Sequence, residues 1–239
     1  MKKLFKDWKV WEFVFLATCW VVILSIFFLS KEKSVLSLIT SLLGTTSVFI
    51  WAKGLFFAPF LDIAYNVLYA TISIITCYYG EAIIYIFIMM PISICSIVSW
   101  IKNKKEDSLL VKVNNVNRKE WLYLILTAVV LTFGFYFLLK ALNTSQLIVS
   151  TISLISSVIG AYLLLRRSSY YAIAFIFNDI ILIVLWALSI GSFGLAYLPN
   201  VISFTIFLFN DTYGFIRWKK EEKAAKTLET NKEKEEGKL

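Results

Sequence analysis

The sequence predicts an all-α integral membrane protein of eight transmembrane helices, and three observations carry that expectation. Of the 239 residues, 59% are hydrophobic and only 17% are charged, whereas an average soluble domain carries about a quarter charged residues. The apolar residues fall into eight runs, each near the ~20 residues that an α-helix needs to cross the hydrocarbon core. The basic residues lie between those runs and in the tail. The net charge of +8 is therefore a topology signal, and no nucleic acid is expected as a partner.

The runs cover about 12–30, 34–52, 56–78, 82–101, 121–140, 145–165, 170–190 and 197–217. The first follows Met1-Lys2-Lys3 as a signal peptide would. It is too long for one and has no small-x-small cleavage site before Lys31, so it reads as a retained helix. The second carries Ser41, Gly44 and Ser47 and ends at Lys53; the sixth repeats that character with Ser153, Ser157 and Gly160 before Arg166. Small residues at three- or four-residue spacing let helices approach closely in lipid. The third carries Asp62, Asn66 and Tyr69 at i, i+4, i+7, one helical face. In the fourth, Pro91 removes a backbone hydrogen bond, so a kink is expected. The fifth is a linker; the seventh holds Asn178, Asp179 and Trp186, and the eighth Asn210, Asp211, Tyr213 and Gly214. Beyond Trp218 the chain turns Lys/Glu-rich, as a short helical extension fraying into a solvated tail would.

With a cytoplasmic N-terminus, eight spans put Lys53, the 102–120 segment, Arg166-Arg167 and the C-terminal tail on the inside. Only Lys31, Lys33 and Lys140 of the 24 basic residues then lie outside, as the positive-inside rule requires. Both termini are expected in the cytoplasm. Trp8, Trp11, Trp51, Trp100, Trp121 and Trp218 fall at the inner ends of their spans and are expected to form an interfacial belt.

An internal repeat sets the organisation. Asp62 precedes Trp100 by 38 residues, and Asp179 precedes Trp218 by 39. Two three-helix units separated by one linker helix have the same direction in the membrane, a transporter architecture with substrate held between the halves. The expected segments are an extra N-terminal helix (1–33), a first repeat (34–101), a cytoplasmic loop (102–120), a linker helix (121–144), a second repeat (145–218) and a charged tail (219–239).

Little in the chain supports catalysis. There is no histidine, and Cys19, Cys77 and Cys95 sit singly within apolar runs, which excludes a disulfide framework and His-based metal or triad chemistry. No cofactor and no metal are expected. Without histidine or a chain of buried carboxylates, a proton relay is not expected either. The polar inventory of the spans is amide, carboxylate and aromatic, which suits a neutral or cationic solute bearing hydroxyls and a planar ring. The competing structural role is interhelical hydrogen bonding. Asp211, near the inner end, is expected to pair with Lys219 or Arg217.

The run Asn210-Asp211-Thr212-Tyr213-Gly214-Phe215-Ile216-Arg217-Trp218-Lys219, with the stretch from Met90-Pro91 to Trp100, resembles the PnuC family of bacterial nicotinamide riboside transporters over about residues 34–220. Ser96 and Ser99 depart from the Gly-aromatic character of the eighth helix. The resemblance implies a SWEET-like fold with an added N-terminal helix in the bacterial inner membrane. It also implies facilitated diffusion of nicotinamide riboside, trapped inside by a functionally linked cytoplasmic kinase. Of the family's Trp-x-x-x-Asn pattern, Asn178 matches the Asn, but Ala174 stands at the Trp position, with Phe175 or Trp186 as substitutes. The candidate substrate-binding residues are Asn178, Asp179, Trp186, Asn210, Tyr213, Asp62, Asn66 and Tyr69. A phosphorylated ligand would want Arg or Lys in the cavity, and the spans hold none near mid-depth, which favours the riboside over the mononucleotide. Thiamine, riboflavin and deoxynucleosides remain alternatives, as do a membrane scaffold and, third, a membrane enzyme; a homo-oligomer is left open.

Overall fold

The computed structural model describes residues 8–31, 33–106 and 108–236, without the side chains of Phe193 and of residues 228–236. The extreme ends of the expected N-terminal segment and tail, 1–7 and 237–239, lie outside the described residues. Among the described residues, eight long helices account for the eight apolar runs: α1 (Val10–Leu29), α2 (Val35–Lys53), α3 (Ala58–Ile75), α4 (Tyr79–Lys102), α5 (Arg118–Ala141), α6 (Leu147–Leu165), α7 (Tyr171–Phe193) and α8 (Leu198–Glu236). Helices α1 to α7 are long and apolar enough to cross a membrane. The first part of α8 is as long, but Asn200, Asn210 and Asp211 dilute it, and it continues as one helix into the charged extension.

Local chemistry sets the helix ends. Ser34 caps α2 by accepting from the Ser37 N–H at 3.1 Å, and Asn117 caps α5 by accepting from the Glu120 N–H at 2.8 Å. Helix α2 ends on Gly54, whose φ of 72° lies in the left-handed region that residues with a Cβ avoid. Pro91 does not act at its own position. Upstream, residues Tyr85–Met89 form a π-helical turn in which the Met90 N–H reaches the Tyr85 carbonyl. Pro91 then sits in the first turn of the helical segment that restarts at Met90, where a missing N–H leaves little unsatisfied.

The buried face of α2 is made of small side chains, among them Ser37, Ser41, Gly44, Thr45 and Ser47. A Cβ on Gly44 would lie 2.6 Å from the Tyr65 ring and 2.8 Å from Phe207, and one on Gly160 would lie 2.9 Å from Phe175. These two glycines therefore permit the approach of α3, α7 and α8 to the small-residue helices, as close packing without a hydrophobic driving force requires.

The connectors collect at two opposite ends of the bundle. At the basic end, the stretch after α4 folds over the α2–α3 turn: Phe56 N–H donates to the Leu109 carbonyl (2.9 Å) and Val111 N–H to that of Gly54 (3.0 Å). Asn114 N–H reaches the Arg167 carbonyl (3.0 Å), and Lys105 pairs with Glu221 (2.6 Å). At the other end, the Ser145 N–H donates to the Cys77 carbonyl at 2.9 Å and the Gly80 N–H to Thr144 Oγ1 at 3.2 Å.

The tryptophan belt needs correcting. Trp51, Trp100 and Trp218 are buried rather than interfacial, and Trp100 meets Trp51 edge-to-face with centroids 4.4 Å apart. The Trp100 indole N–H donates to the Leu164 carbonyl at 3.2 Å, and that of Trp218 to the Ala52 carbonyl at 3.1 Å. The Ala52 carbonyl is among the last carbonyls of α2, which lack an intrahelical partner, and the Leu164 carbonyl near the end of α6, already taken by the Arg167 N–H at 3.0 Å, offers its second lone pair. Thus α4 clasps α6, and α8 clasps α2. At the opposite end the same helix pairs meet again: Ser153 donates to Glu81 (2.5 Å), and Ser37 (2.9 Å) and Ser41 (3.3 Å) donate to Asn200 Oδ1.

Candidate functional site

A cavity of about 50 Å³ lies where α2, α3, α4, α7 and α8 converge toward the basic end. Its polar wall is Asp62, Asn178, Asp179 and Asp211, and its aromatic wall includes Tyr65, Tyr85, Tyr171 and Phe175. Trp51 of α2 completes the wall beside Asp62. Among the described residues, neither lysine nor arginine lines it.

Helix α3 delivers Asp62 because Pro59 sits in its first turn and its buried residues recur as 62, 65, 66 and 69, one inward stripe. Asp62 Oδ2 accepts from Ser93 Oγ at 2.5 Å and from Asn66 Nδ2 at 3.2 Å. The corresponding place in the expected second repeat differs. Ser93 precedes Trp100 by seven residues, and Asp211 stands seven before Trp218. Where Asp62 meets a hydroxyl, Asp179 of α7 and Asp211 of α8 bring two carboxyl groups to the same cavity wall. Both residues are buried, and Asp179 Oδ2 has no hydrogen-bond partner.

Two expectations are overturned here. Asp211 does not pair with Arg217 or Lys219: Arg217 reaches Glu12 Oε1 at 3.3 Å and Lys219 reaches Glu222 at 2.9 Å. Asp211 is turned inward against α7, while Arg217 points toward α1. The expected scarcity of buried carboxylates also fails, since three stand around one cavity.

The other candidates divide. Asn178 is on the wall, its Oδ1 accepting from Ser156 Oγ and Ser157 Oγ at 3.0 Å each, which orients the amide. Ala174 lines an outer groove with Trp121 and Ile152, so it contributes nothing to the cavity, while Phe175 does. Trp186 is not on the wall; it donates to Tyr69 Oη at 2.8 Å inside an aromatic cluster where Tyr69 and Tyr85 rings lie 4.1 Å apart. Asn66 acts behind the wall by holding Asp62. Asn210 is buried off the wall with neither amide atom hydrogen-bonded. Tyr213 is drawn away, donating to Glu12 Oε1 at 2.7 Å.

Sequence reasoning missed Tyr65, Tyr85, Tyr171 and Trp51 as wall residues. Tyr171 is buried with its hydroxyl unpartnered. Ser93 was also missed, although its place seven residues before Trp100, opposite Asp211, was a readable signal. Glu12 was missed as well, the one acidic residue in the first apolar run.

The profile of the nicotinamide mononucleotide transporter family matches residues 34–220, from just before α2 to just past the Trp218 clasp. The chain is 23% identical over 223 residues to the nicotinamide riboside transporter PnuC of Neisseria mucosa, covering 92% of this chain and 84% of that protein. Its fold is similar to the crystal structure of the vitamin B3 transporter PnuC, with a TM-score of 0.81 and 23% identity over 93% of this chain and 96% of the other.

Proposed function

We propose, from the premise that this chain belongs to the nicotinamide mononucleotide transporter family, that it carries nicotinamide riboside across the bacterial inner membrane by facilitated diffusion. The family is one of membrane transporters, not enzymes. The observation that carries the choice of ligand is the cavity wall itself: three carboxyl groups, aromatic rings and, among the described residues, no lysine or arginine. A phosphate dianion placed there would meet like charge and no guanidinium or ammonium donor, which disfavours the mononucleotide. The riboside has a pyridinium ring, attracted by aromatic faces and by carboxylates, and ribose hydroxyls that Asn178 and Asp62 accommodate.

Ligand pockets usually span about 300–1,000 Å³, so a cavity of about 50 Å³ has to expand to admit a nucleoside. Movement of the two repeats against each other around the site would supply that space. A cytoplasmic kinase that phosphorylates the product would make net uptake inward. The acidic wall favours thiamine, also a cation, as the second reading over riboflavin or deoxynucleosides.

Calorimetry on the purified protein, with thiamine, riboflavin, deoxynucleosides and nicotinamide mononucleotide as competitors, tests the assignment. Micromolar or tighter binding of the riboside alone supports it. Binding of another compound instead replaces the ligand, and silence from all in folded protein favours a scaffold. Asn178→Ala, at unchanged protein abundance, is expected to abolish saturable uptake.

A further inference from the structure

We infer that Glu81 is the entry contact of the transport path at the end opposite the basic one, a carboxylate that takes the charge of a cationic ligand before the ligand reaches the cavity. The inference rests on the cationic ligand and the orientation proposed above. An aromatic plug stands between the cavity and that end. Its hub is Tyr69, buried, with its ring centroid 4.1 Å from that of Tyr85 and 5.6 Å from that of Phe204, and with its hydroxyl accepting from the Trp186 indole N–H at 2.8 Å. Tyr85 and Phe204 also line the cavity, so a solute arriving from that end has to part these rings. Glu81 lies one turn outward from Tyr85 on α4, and Asn200 one turn outward from Phe204 on α8.

Glu81 and Asn200 hold equivalent places in the two expected repeats. Ser153 stands seven residues before Gly160 as Ser37 stands seven before Gly44, and Ser153 donates to Glu81 as Ser37 donates to Asn200. Ser93 follows Glu81 by twelve residues and Asp211 follows Asn200 by eleven, the extra residue being taken up in the π turn of α4. An amide is therefore enough to make this clasp, and the carboxyl group of Glu81 exceeds what packing asks for. Only one of its oxygens is used. Oε1 accepts from Ser153, while Oε2 has no partner, and neither has Ser150 Oγ one turn away on α6, although both residues are fully buried. Such atoms are costly to leave unpaired in the closed form. When the rings part, a pyridinium against the carboxylate and a ribose hydroxyl against Ser150 satisfy them. Neither a proton nor a second ion moves with the ligand in this step, which remains facilitated diffusion.

The measurement is the initial uptake of nicotinamide riboside by cells, at matched protein abundance, for the parent and two variants. Glu81→Gln keeps the oxygen that Ser153 needs and drops the charge; Glu81→Asp keeps the charge on a shorter arm and strains the clasp. An entry role predicts that Glu81→Gln loses about tenfold far below saturation and nothing at saturating riboside, with Glu81→Asp within about twofold of the parent throughout. A purely structural clasp predicts the opposite order. Uptake by Glu81→Gln equal to the parent's, a larger loss in Glu81→Asp, or a loss that persists at saturation overturns the inference. Should Glu81→Gln fail to accumulate, Asn200→Asp decides: it sets a second carboxylate at the equivalent place, and uptake below saturation is expected to rise above the parent's, no rise overturning the inference. If the parent takes up no riboside, the ligand proposal falls and the same ranking is read on thiamine; a parent that carries neither cation overturns both.

Discussion

Glu12 ties α1 to the rest of the bundle. Its Oε2 accepts from Lys53 Nζ at 2.5 Å and its Oε1 from Tyr213 and Arg217, so one buried carboxylate joins α1 to α2 and α8. Lys53 also lies 4.6 Å from the Trp8 ring centroid, at the entry to the same helix. Breaking one partner out of a buried ion pair costs about 3–5 kcal/mol, so Glu12→Gln is expected to lower the melting temperature in detergent strongly, with Glu12→Asp intermediate. An unchanged melting temperature would mean that the cluster is solvated. Asn210 makes the opposite case. Its amide is buried with no partner, and an unsatisfied buried polar group costs about 1–3 kcal/mol. Asn210→Leu is expected to raise thermal stability by an amount of that order; a simultaneous fall in uptake would assign the amide to an expanded, ligand-holding form.

At the level of elements, α8 and α4 each do something that hydropathy does not reveal. Past Trp218, Glu222 is buried and accepts from Ser169 Oγ (2.8 Å), Lys219 (2.9 Å) and Lys226 (3.0 Å). Burial pushes its carboxyl up, but those donors win and hold it at about 2, below the ordinary 4.5. A depressed folded pKa contributes stability that is present above the unfolded pKa and lost as pH falls through the folded one. The melting temperature of the parent is therefore expected to exceed that of Glu222→Gln above about pH 5, with the gap closing between 4.5 and 2. The charged extension, legible as a helix from its Lys/Glu pattern, thus docks on the α6–α7 turn before it leaves the bundle. In α4 the π turn brings Tyr85 and Met89 to the cavity wall. Pro91→Ala restores the missing N–H, and riboside binding is expected to weaken several-fold as those side chains shift; unchanged affinity would show that packing, not Pro91, holds the turn. Span positions were readable because apolar length and charge are properties of composition. The π turn and the tryptophan clasps were not, because they depend on which carbonyl of another helix lies opposite, and that is a tertiary fact.

Across the whole molecule, the same divide explains how much of the site was legible. Asp62, Asn178 and Asp179 were visible as polar residues on apolar helices, and all three reach the cavity. Trp186 and Tyr213 were equally visible, yet their polar atoms are consumed by Tyr69 and Glu12. Spacing along one helix could not reveal partners on another. The reciprocal clasps of Trp100 on α6 and Trp218 on α2 support the two-repeat organisation we propose, with asymmetry at positions such as Ser93 against Asp211 and in the π turn of α4. Such a molecule can move cargo in only one useful sense if its basic end faces the cytoplasm, where the proposed phosphorylation would trap the product. That orientation rests on the charge distribution alone, and it is open to direct measurement. With Cys19, Cys77 and Cys95 replaced, Lys140→Cys and Lys112→Cys put single thiols at exposed positions on opposite ends of the bundle. A membrane-impermeant maleimide added to intact cells is expected to label the thiol at position 140 and to reach the one at 112 only after permeabilisation. The reverse pattern would put the basic end, and the cavity near it, outside the cell. Trapping would then have to begin from the opposite face, and the proposed direction of uptake would fail while the fold and the cavity stood.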